Sequence, residues 1–100
     1  MWGWKAVERR IAAGVTLDQA RQVIRDHGFS EQVVNPGHVI FRRGGEQLTT
    51  KAENFPLELA IAEADSGLFL QLRYNGFVVF DTGDLETLAS EMVERITGAQ

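Results

Sequence analysis

The chain has 100 residues, no cysteine and a formal net charge of −4. This length predicts one domain over residues 1–100, and the lack of cysteine excludes disulfides and thiolate metal sites. No stretch approaches the roughly 18 apolar residues of a membrane span, and Glu8, Arg9 and Arg10 argue against a signal peptide. Because small secreted domains commonly depend on disulfides, we expect a cytoplasmic protein.

The charge is unevenly distributed along the chain. Residues 1–55 hold eight Lys/Arg and six Asp/Glu, a net charge of +2, whereas residues 56–100 hold two Lys/Arg and eight Asp/Glu, a net charge of −6. An acidic half disfavours contact with phosphate backbones and favours a basic partner. A simple solvated, solubilising surface is the other interpretation.

Two helices are predicted near the N-terminus. Trp4, Val7 and Ile11 have the i, i+3, i+7 spacing of one helix face, which Gly14 would end. A second helix begins at Thr16, whose capping box with the residue three positions later is a strong start signal, and it ends at Gly28. Phe29 would then fold back onto its end.

Alternating apolar residues predict strands after these helices. A first hairpin joins residues 38–43 to residues 46–51 around Gly44-Gly45, with Phe41 opposite Leu48 and Val39 opposite Thr50. Residues 57–62, 68–74 and 77–81 then form a meander through turns at Ser66-Gly67 and Asn75-Gly76. Counting from these turns places the following pairs opposite each other: Ile61 and Leu72, Leu59 and Tyr74, Leu72 and Val79, and Tyr74 and Phe77.

A C-terminal helix is predicted from Asp84, or from Thr82, to Gly98. Its apolar stripe is wide and comprises Leu85, Leu88, Ala89, Met92, Val93 and Ile96. The whole pattern predicts an α+β fold in the order α-α-β-β-β-β-β-α. Two layers are expected, with the N-terminal helices and the C-terminal helix packed on an antiparallel sheet of about five strands.

The sheet face turned away from this core is unusually apolar. Phe69, Val78 and Phe80 lie there with several alanines, beside Gln71 and Arg73. The first helix, with Trp2 and Trp4, would cover the face, or else a second copy of the chain or another protein would do so. The predicted partner-binding residues are therefore Phe69, Arg73, Val78, Phe80, Trp2 and Trp4.

Few residues have spacings typical of catalysis or metal binding. His27 and His38 lack metal-ligand spacing and are interpreted as a helix-end residue and a strand-start residue. Ser30, Ser66 and Ser90 have no nucleophile motif around them. We therefore predict no catalytic residue, no cofactor and no metal.

One segment resembles a known family. Gly28-Phe29 followed by Pro36-Gly37-His38-Val39-Ile40-Phe41-Arg42 is similar to the opening of HicA-type toxins, which cleave mRNA and have an α-β-β-β-α fold. The resemblance covers about a quarter of the chain. It implies a catalytic role for His38. Arg42 and Arg43 form a small basic hairpin tip, which is separately a candidate contact for phosphate or RNA, with a solvated tip as the other interpretation.

The sequence favours a small non-enzymatic protein-binding module, a regulator or inhibitor of phage, mobile-element or immunity type. Its acidic half would face a basic or nucleic-acid-binding protein, and its outer sheet face would supply the apolar contact. A homodimer is the alternative use of that face, and neither a membrane nor direct nucleic-acid binding is expected. Two other functions stay open: a ribonuclease using His38, and a small-molecule site between the sheet and the C-terminal helix, near Tyr74.

Overall fold

The computed structural model describes residues 6–44, 56–74 and 84–98 of the chain. In chain order the elements are β1 (Val7–Ala12), α1 (Leu17–Asp26), β2 (Ser30–Asn35), β3 (His38–Arg43), β4 (Leu57–Ala64), β5 (Gly67–Tyr74) and α2 (Asp84–Gly98). The predicted α+β class with a five-stranded antiparallel sheet is confirmed.

The sheet has the strand order β1-β5-β4-β3-β2. Since β1 and β2 lie at opposite edges, α1 crosses one face of the sheet to connect them. The second helix, α2, packs over β1 and β5 and also contacts α1, so both helices cover the same face. The large, fully buried side chains between the two layers come from both helices and three strands: Ile24, Val39, Phe41, Leu57, Leu59, Ile61, Leu70, Leu72, Leu85, Met92 and Ile96.

The start of α1 matches its sequence signals. The Thr16 hydroxyl accepts a hydrogen bond from the Gln19 backbone N–H at 3.1 Å, and the Gln19 side chain accepts one from the Thr16 N–H at 2.9 Å. This capping box satisfies two backbone donors that a helix start would leave without partners. The predicted helix start is therefore confirmed.

The end of α1 also follows its sequence. Gly28 has φ +86°, and Phe29, which is buried, donates its N–H to the Ile24 carbonyl at 3.4 Å. Arg43 of β3 donates to the His27 carbonyl at 3.1 Å and lies 4.8 Å from the centre of the Phe29 ring. A cation at the carbonyl end of a helix is favourable, so β3 stabilises this terminus.

The predicted first helix is wrong, because residues 7–12 form the edge strand β1. Val7 pairs with Leu72, and Ile11 pairs with Leu68. A spacing of four residues places two side chains on one face of a strand as well as on one face of a helix. Pairing with β5 supplies hydrogen bonds between the two strands, whereas an isolated helix of this length is only marginally stable in water. Trp2 and Trp4 lie outside the described residues.

The register between β4 and β5 differs from the prediction by two residues. Leu59 pairs with Leu72 and Ile61 with Leu70, because Asp65-Ser66 form the two-residue loop and Gly67 already pairs with Ala64. A shift by two preserves which face each side chain occupies. The predicted apolar face of β4 and β5 is therefore correct, although the two predicted pairs between these strands, Ile61 with Leu72 and Leu59 with Tyr74, are wrong.

The predicted pairing of Phe41 with Leu48 does not fit the sheet. Both edges of β3 are occupied, and Phe41 has Glu31 on one side and Leu59 on the other. The predicted strands at residues 46–51 and 77–81, with Val78 and Phe80, lie outside the described residues. The edge strand β2 was not predicted, since SEQVVN lacks the apolar alternation of a half-buried strand.

The predicted apolar stripe of α2 is confirmed. Its large side chains are buried against the sheet, with Val93 packed partly buried at the margin of the core. The exposed side of α2 carries Glu86, Glu91 and Glu94. Arg95, also exposed on α2, pairs with Glu91 at 3.3 Å, so this side of the helix is acidic overall but not uniformly so.

Candidate functional site

The face of the sheet opposite the helices, here called the outer face, is the strongest candidate for a functional surface. Strand alternation places the buried residues of β3, β4 and β5 toward the helices and every second residue away from them. The described side chains on the outer face are Glu8, Arg10, Ala12, Ser30, Val33, Asn35, His38, Ile40, Arg42, Glu58, Ala60, Ala62, Phe69, Gln71 and Arg73.

The centre of the outer face is formed by two small side chains of β4. Ala60 lies between Ile40 and Gln71, and Ala62 lies between His38 and Phe69. The two neighbours of β4, strands β3 and β5, are about 9.5 Å apart. The short alanine side chains of β4 therefore lie between two rows of longer side chains. Phe69, Ile40 and both alanines are only partly buried.

An ion triad lies next to these alanines on the outer face. Glu58 lies in register with Arg42 on β3 and Arg73 on β5. Its Oε2 accepts from Arg42 Nε at 3.1 Å, and its Oε1 accepts from Arg73 Nε at 2.9 Å and also from Arg73 Nη2. The Glu58 side chain is only 10% exposed, whereas the two arginines are about half exposed.

The environment of Glu58 favours its charged form. Burial alone would raise the pKa of its carboxyl group, but hydrogen bonds from Arg73 and Arg42, and the charges of both, outweigh this effect. The pKa of Glu58 is therefore lowered from its ordinary value. With the carboxylate covered, the guanidinium groups present the accessible charge at this end of the face.

A polar contact links β1 and β5 on the same face. Gln71 donates to the Glu8 carboxylate at 3.3 Å, and Arg10 pairs with Phe69 in the sheet. The outer face therefore holds three arginines and two glutamates, one of them nearly buried. Its accessible charge is positive, in contrast with the acidic surface of α2 on the other side of the sheet.

The structure places two of the predicted contact residues, Phe69 and Arg73, on the outer face. Trp2, Trp4, Val78 and Phe80 lie outside the described residues. Sequence reasoning missed the Arg42–Glu58–Arg73 triad, because the three residues meet only through strand register. The alternation placed Glu58 on the outer face, but no local signal showed that two arginines would flank it.

The two histidines lie on different elements. His27 follows α1, and its Nδ1 lies 2.9 Å from the Val23 carbonyl oxygen, consistent with the predicted helix-end role. His38 begins β3 on the outer face, between Asn35 and Ala62. Among the residues that the structure describes, no three His, Asp or Glu side chains are grouped as a metal site requires.

The buried side chains of α2 and of the sheet face that it covers belong to one apolar core. Tyr74, the polar group of the predicted small-molecule site, is 4% exposed within this core. The grooves described at the surface lie at the start of α1 and beside the β4–β5 turn instead.

No helix of the described part is long and apolar enough to cross a membrane. No protein-family model matches the chain, and no curated protein matches its sequence.

Proposed function

We propose that this chain is a non-enzymatic protein-binding module, a regulator or inhibitor, whose contact surface is the outer face of the sheet. The observation that carries the proposal is that, among the described residues, α1 and α2 both cover the same side of the sheet. Phe69 and Ile40 are left on the other side, around an alanine floor and next to the ion triad.

The chemistry of this face supports a protein partner. Partly buried aromatic and branched side chains bordered by arginines are typical of protein contact surfaces, in which arginine and aromatic residues are enriched. The half-exposed arginines favour acidic groups at the margin of the partner's contact. The cysteine-free composition supports a cytoplasmic location for this interaction.

The acidic surface and the outer face do not form one contact area. Glu86, Glu91 and Glu94 lie on α2, which covers the helix side of the sheet. A compact partner seated on the outer face therefore meets arginines and not these glutamates. The acidic helix contributes long-range steering and solubility in this proposal.

The test is a comparison of Phe69→Asp with the unmodified chain. Phe69 is partly exposed and pairs with Arg10, so an aspartate is tolerated there and the domain stays folded. Affinity capture with the unmodified chain identifies a partner, which is then purified and titrated against both proteins by calorimetry. We expect Phe69→Asp to weaken binding by about 100-fold, as for a hot-spot residue.

Two controls accompany this test. Ser66→Asp changes an exposed turn residue and should bind normally, whereas Leu70→Asp places a charge in the core one residue from Phe69 and should unfold the domain. Equal affinity of the folded Phe69→Asp variant and the unmodified chain would remove the outer face as the contact surface. Loss of folding in Phe69→Asp would show that this side chain belongs to the core.

A further inference from the structure

The ion triad of the outer face carries more positive than negative charge. Glu58 is the shared acceptor for Arg42 and Arg73, and its side chain is 10% exposed. One carboxylate compensates only one of the two guanidinium groups, so the triad keeps a net charge of +1. The side chains of Arg42 and Arg73 are 51% and 53% exposed, which makes this charge accessible on the outer face.

Both arginines of the triad keep N–H groups for a further acceptor. Within the described part of the chain, Arg42 donates to Glu58 through Nε alone, and Arg73 donates through Nε and Nη2. The Nη1 and Nη2 groups of Arg42 and the Nη1 group of Arg73 are therefore left for an external oxygen. Because both guanidinium groups are held by the same carboxylate, they converge on one place and lose little freedom when they bind.

A separate positive charge lies farther along the same face. Arg10 is exposed and pairs with Phe69 in the sheet, and none of the ion pairs among the described residues includes it. Phe69 and Arg73 are four residues apart on β5, which corresponds to about 13 Å along the strand. Ala60 and Phe69 lie between the triad and Arg10, so apolar side chains separate the two positive positions.

The sum of the charges on the outer face is opposite in sign to that of the chain. Glu8, on the edge strand β1, is the exposed carboxylate of the described outer face, and it accepts a hydrogen bond from Gln71 at 3.3 Å. With Glu8 included, three arginines and two glutamates give the described face a net charge of +1. The whole chain has a net charge of −4. The chain as a whole favours a basic partner, whereas this face favours an acidic one.

We propose that the outer face binds an acidic segment of a partner protein, with one carboxylate placed against the outward N–H groups of Arg42 and Arg73. This inference rests on the proposed function and specifies the chemistry of the partner at the same surface. In an extended segment, an apolar residue two positions along lies over Ala60, and a second acidic residue four positions along reaches toward Arg10. Charge-assisted hydrogen bonds between guanidinium groups and carboxylates are strong and directional, so they fix the register of the segment.

An acidic protein segment fits this face better than the other candidate occupants. A nucleic acid has a charge at every phosphate and would be repelled by a chain of net charge −4, whereas a protein segment can alternate carboxylates with apolar side chains. A second copy would present its acidic helix α2, which lies on the other side of its own sheet. That contact joins two different surfaces, so it would continue as an open row of copies and would not close as a dimer.

Three synthetic peptides test the proposal. Each has two variable positions four residues apart, with leucine midway between them and threonine elsewhere; the variable residues are glutamate in the first, glutamine in the second and lysine in the third. Backbone amide and arginine Nε–H NMR signals of the full chain report the binding. We expect the glutamate peptide to shift the Nε–H signals of Arg42 and Arg73 and to bind about tenfold more tightly than both others. General attraction to an acidic chain predicts that the lysine peptide binds most tightly.

Variants of the arginines separate the outer face from general electrostatics. Arg73→Gln and Arg10→Gln each remove one positive charge from this face, and each should weaken binding of the glutamate peptide by about fivefold or more. Arg95→Gln removes the same charge from α2 on the other side of the sheet and should leave the affinity within about twofold. Because Arg10 takes part in no described ion pair, its variant stays informative if Arg73→Gln destabilises the sheet.

Several results would overturn this inference. They are no binding of the glutamate peptide at millimolar concentration, equal affinity of the glutamine peptide, and peptide-induced shifts confined to α2. Displacement of the glutamate peptide by a lower concentration of single-stranded RNA would assign the arginines to phosphate, and a larger mass in solution that Arg73→Gln abolishes would assign them to a second copy.

Failure of the proposed function has a different readout. It is equal binding of the captured partner by Phe69→Asp and by the unmodified chain. If Phe69→Asp weakens that binding while the glutamate and glutamine peptides bind equally, the outer face remains the contact surface and only its preference for an acidic segment is removed.

Discussion

Glu58 illustrates how a residue on the outer face can be nearly buried. Two arginines on neighbouring strands cover its carboxylate and occupy both oxygens. Burial of a carboxylate is costly unless hydrogen bonds and opposite charge compensate for it. The triad therefore joins β3, β4 and β5 through side chains as well as through the backbone.

The variant Glu58→Gln tests this role. At pH 7 we expect the free energy of unfolding to fall by about 1–2 kcal/mol, since both arginines lose a charged acceptor. The pKa of Glu58 is lowered in the folded state, so its stabilising contribution is present above the ordinary value of 4.5 and is lost as the pH falls through the folded-state pKa. The difference between variant and unmodified chain should therefore shrink below pH 4.5.

Urea unfolding at pH 7, 5 and 3 measures this difference. Glu8→Gln is the matched control, because Glu8 is an exposed carboxylate on the same face and should change stability by less than about 0.5 kcal/mol. A difference between Glu58→Gln and the unmodified chain that is the same at pH 3 and pH 7 would contradict the assigned role.

At the scale of elements, the pairing of β1 with β5 is the least expected feature. It depends on a close backbone approach at Gly67, which lies opposite Ala12 and has φ +146°. A Cβ atom at Gly67 would lie 1.9 Å from the Ile11 carbonyl oxygen. Glycine is therefore required where the β4–β5 turn meets the edge strand.

Gly67→Ala should accordingly loosen β1. We expect it to lower the free energy of unfolding by about 2 kcal/mol or more, because the strands must separate to accept the methyl group and the φ angle is unfavourable. Thermal and urea unfolding measure the loss, and hydrogen exchange should increase at residues 7–12. Gly44→Ala is the control, since no atom lies within 4 Å of its added methyl group; equal stability of the two variants would refute the close approach.

At the scale of the whole molecule, the sheet separates a surface that is acidic overall from one that carries exposed arginines. The acidic residues of α2 lie on the helix side, and the arginines of the outer face lie on the other. A protein with this distribution can meet partners of different charge on different sides.

The order of the elements and the net charge of the whole chain both bear on the ribonuclease alternative. The described fold has the order β-α-β-β-β-β-α. Relative to the α-β-β-β-α order that the resemblance implies, it has one more strand before the first helix and one more between the two helices. With a net charge of −4 repelling phosphate, we expect the purified chain to leave mixed-sequence RNA intact. Gel analysis of RNA incubated with the unmodified chain and with His38→Ala measures this; cleavage that the variant abolishes would establish a catalytic role for His38.

The sequence by itself determined the features that short-range signals encode. The capping box at Thr16 and Gln19, the glycine that ends α1, and the apolar stripe of α2 depend on residues a few positions apart. The same holds for the faces of β4 and β5, because alternation survives a register error of two residues. These signals also predicted that Phe69 and Arg73 share a face.

Only the tertiary structure decided which distant segments meet. The spacing of Val7 and Ile11 fits a helix or a strand equally well. Hydrogen bonding with β5 stabilises the strand. The Arg42–Glu58–Arg73 triad, the edge position of β2 and the groove beside α1 likewise arise from strand order. The physical reason is that these features depend on hydrogen bonds and charges supplied by remote parts of the chain, whose positions no local pattern specifies.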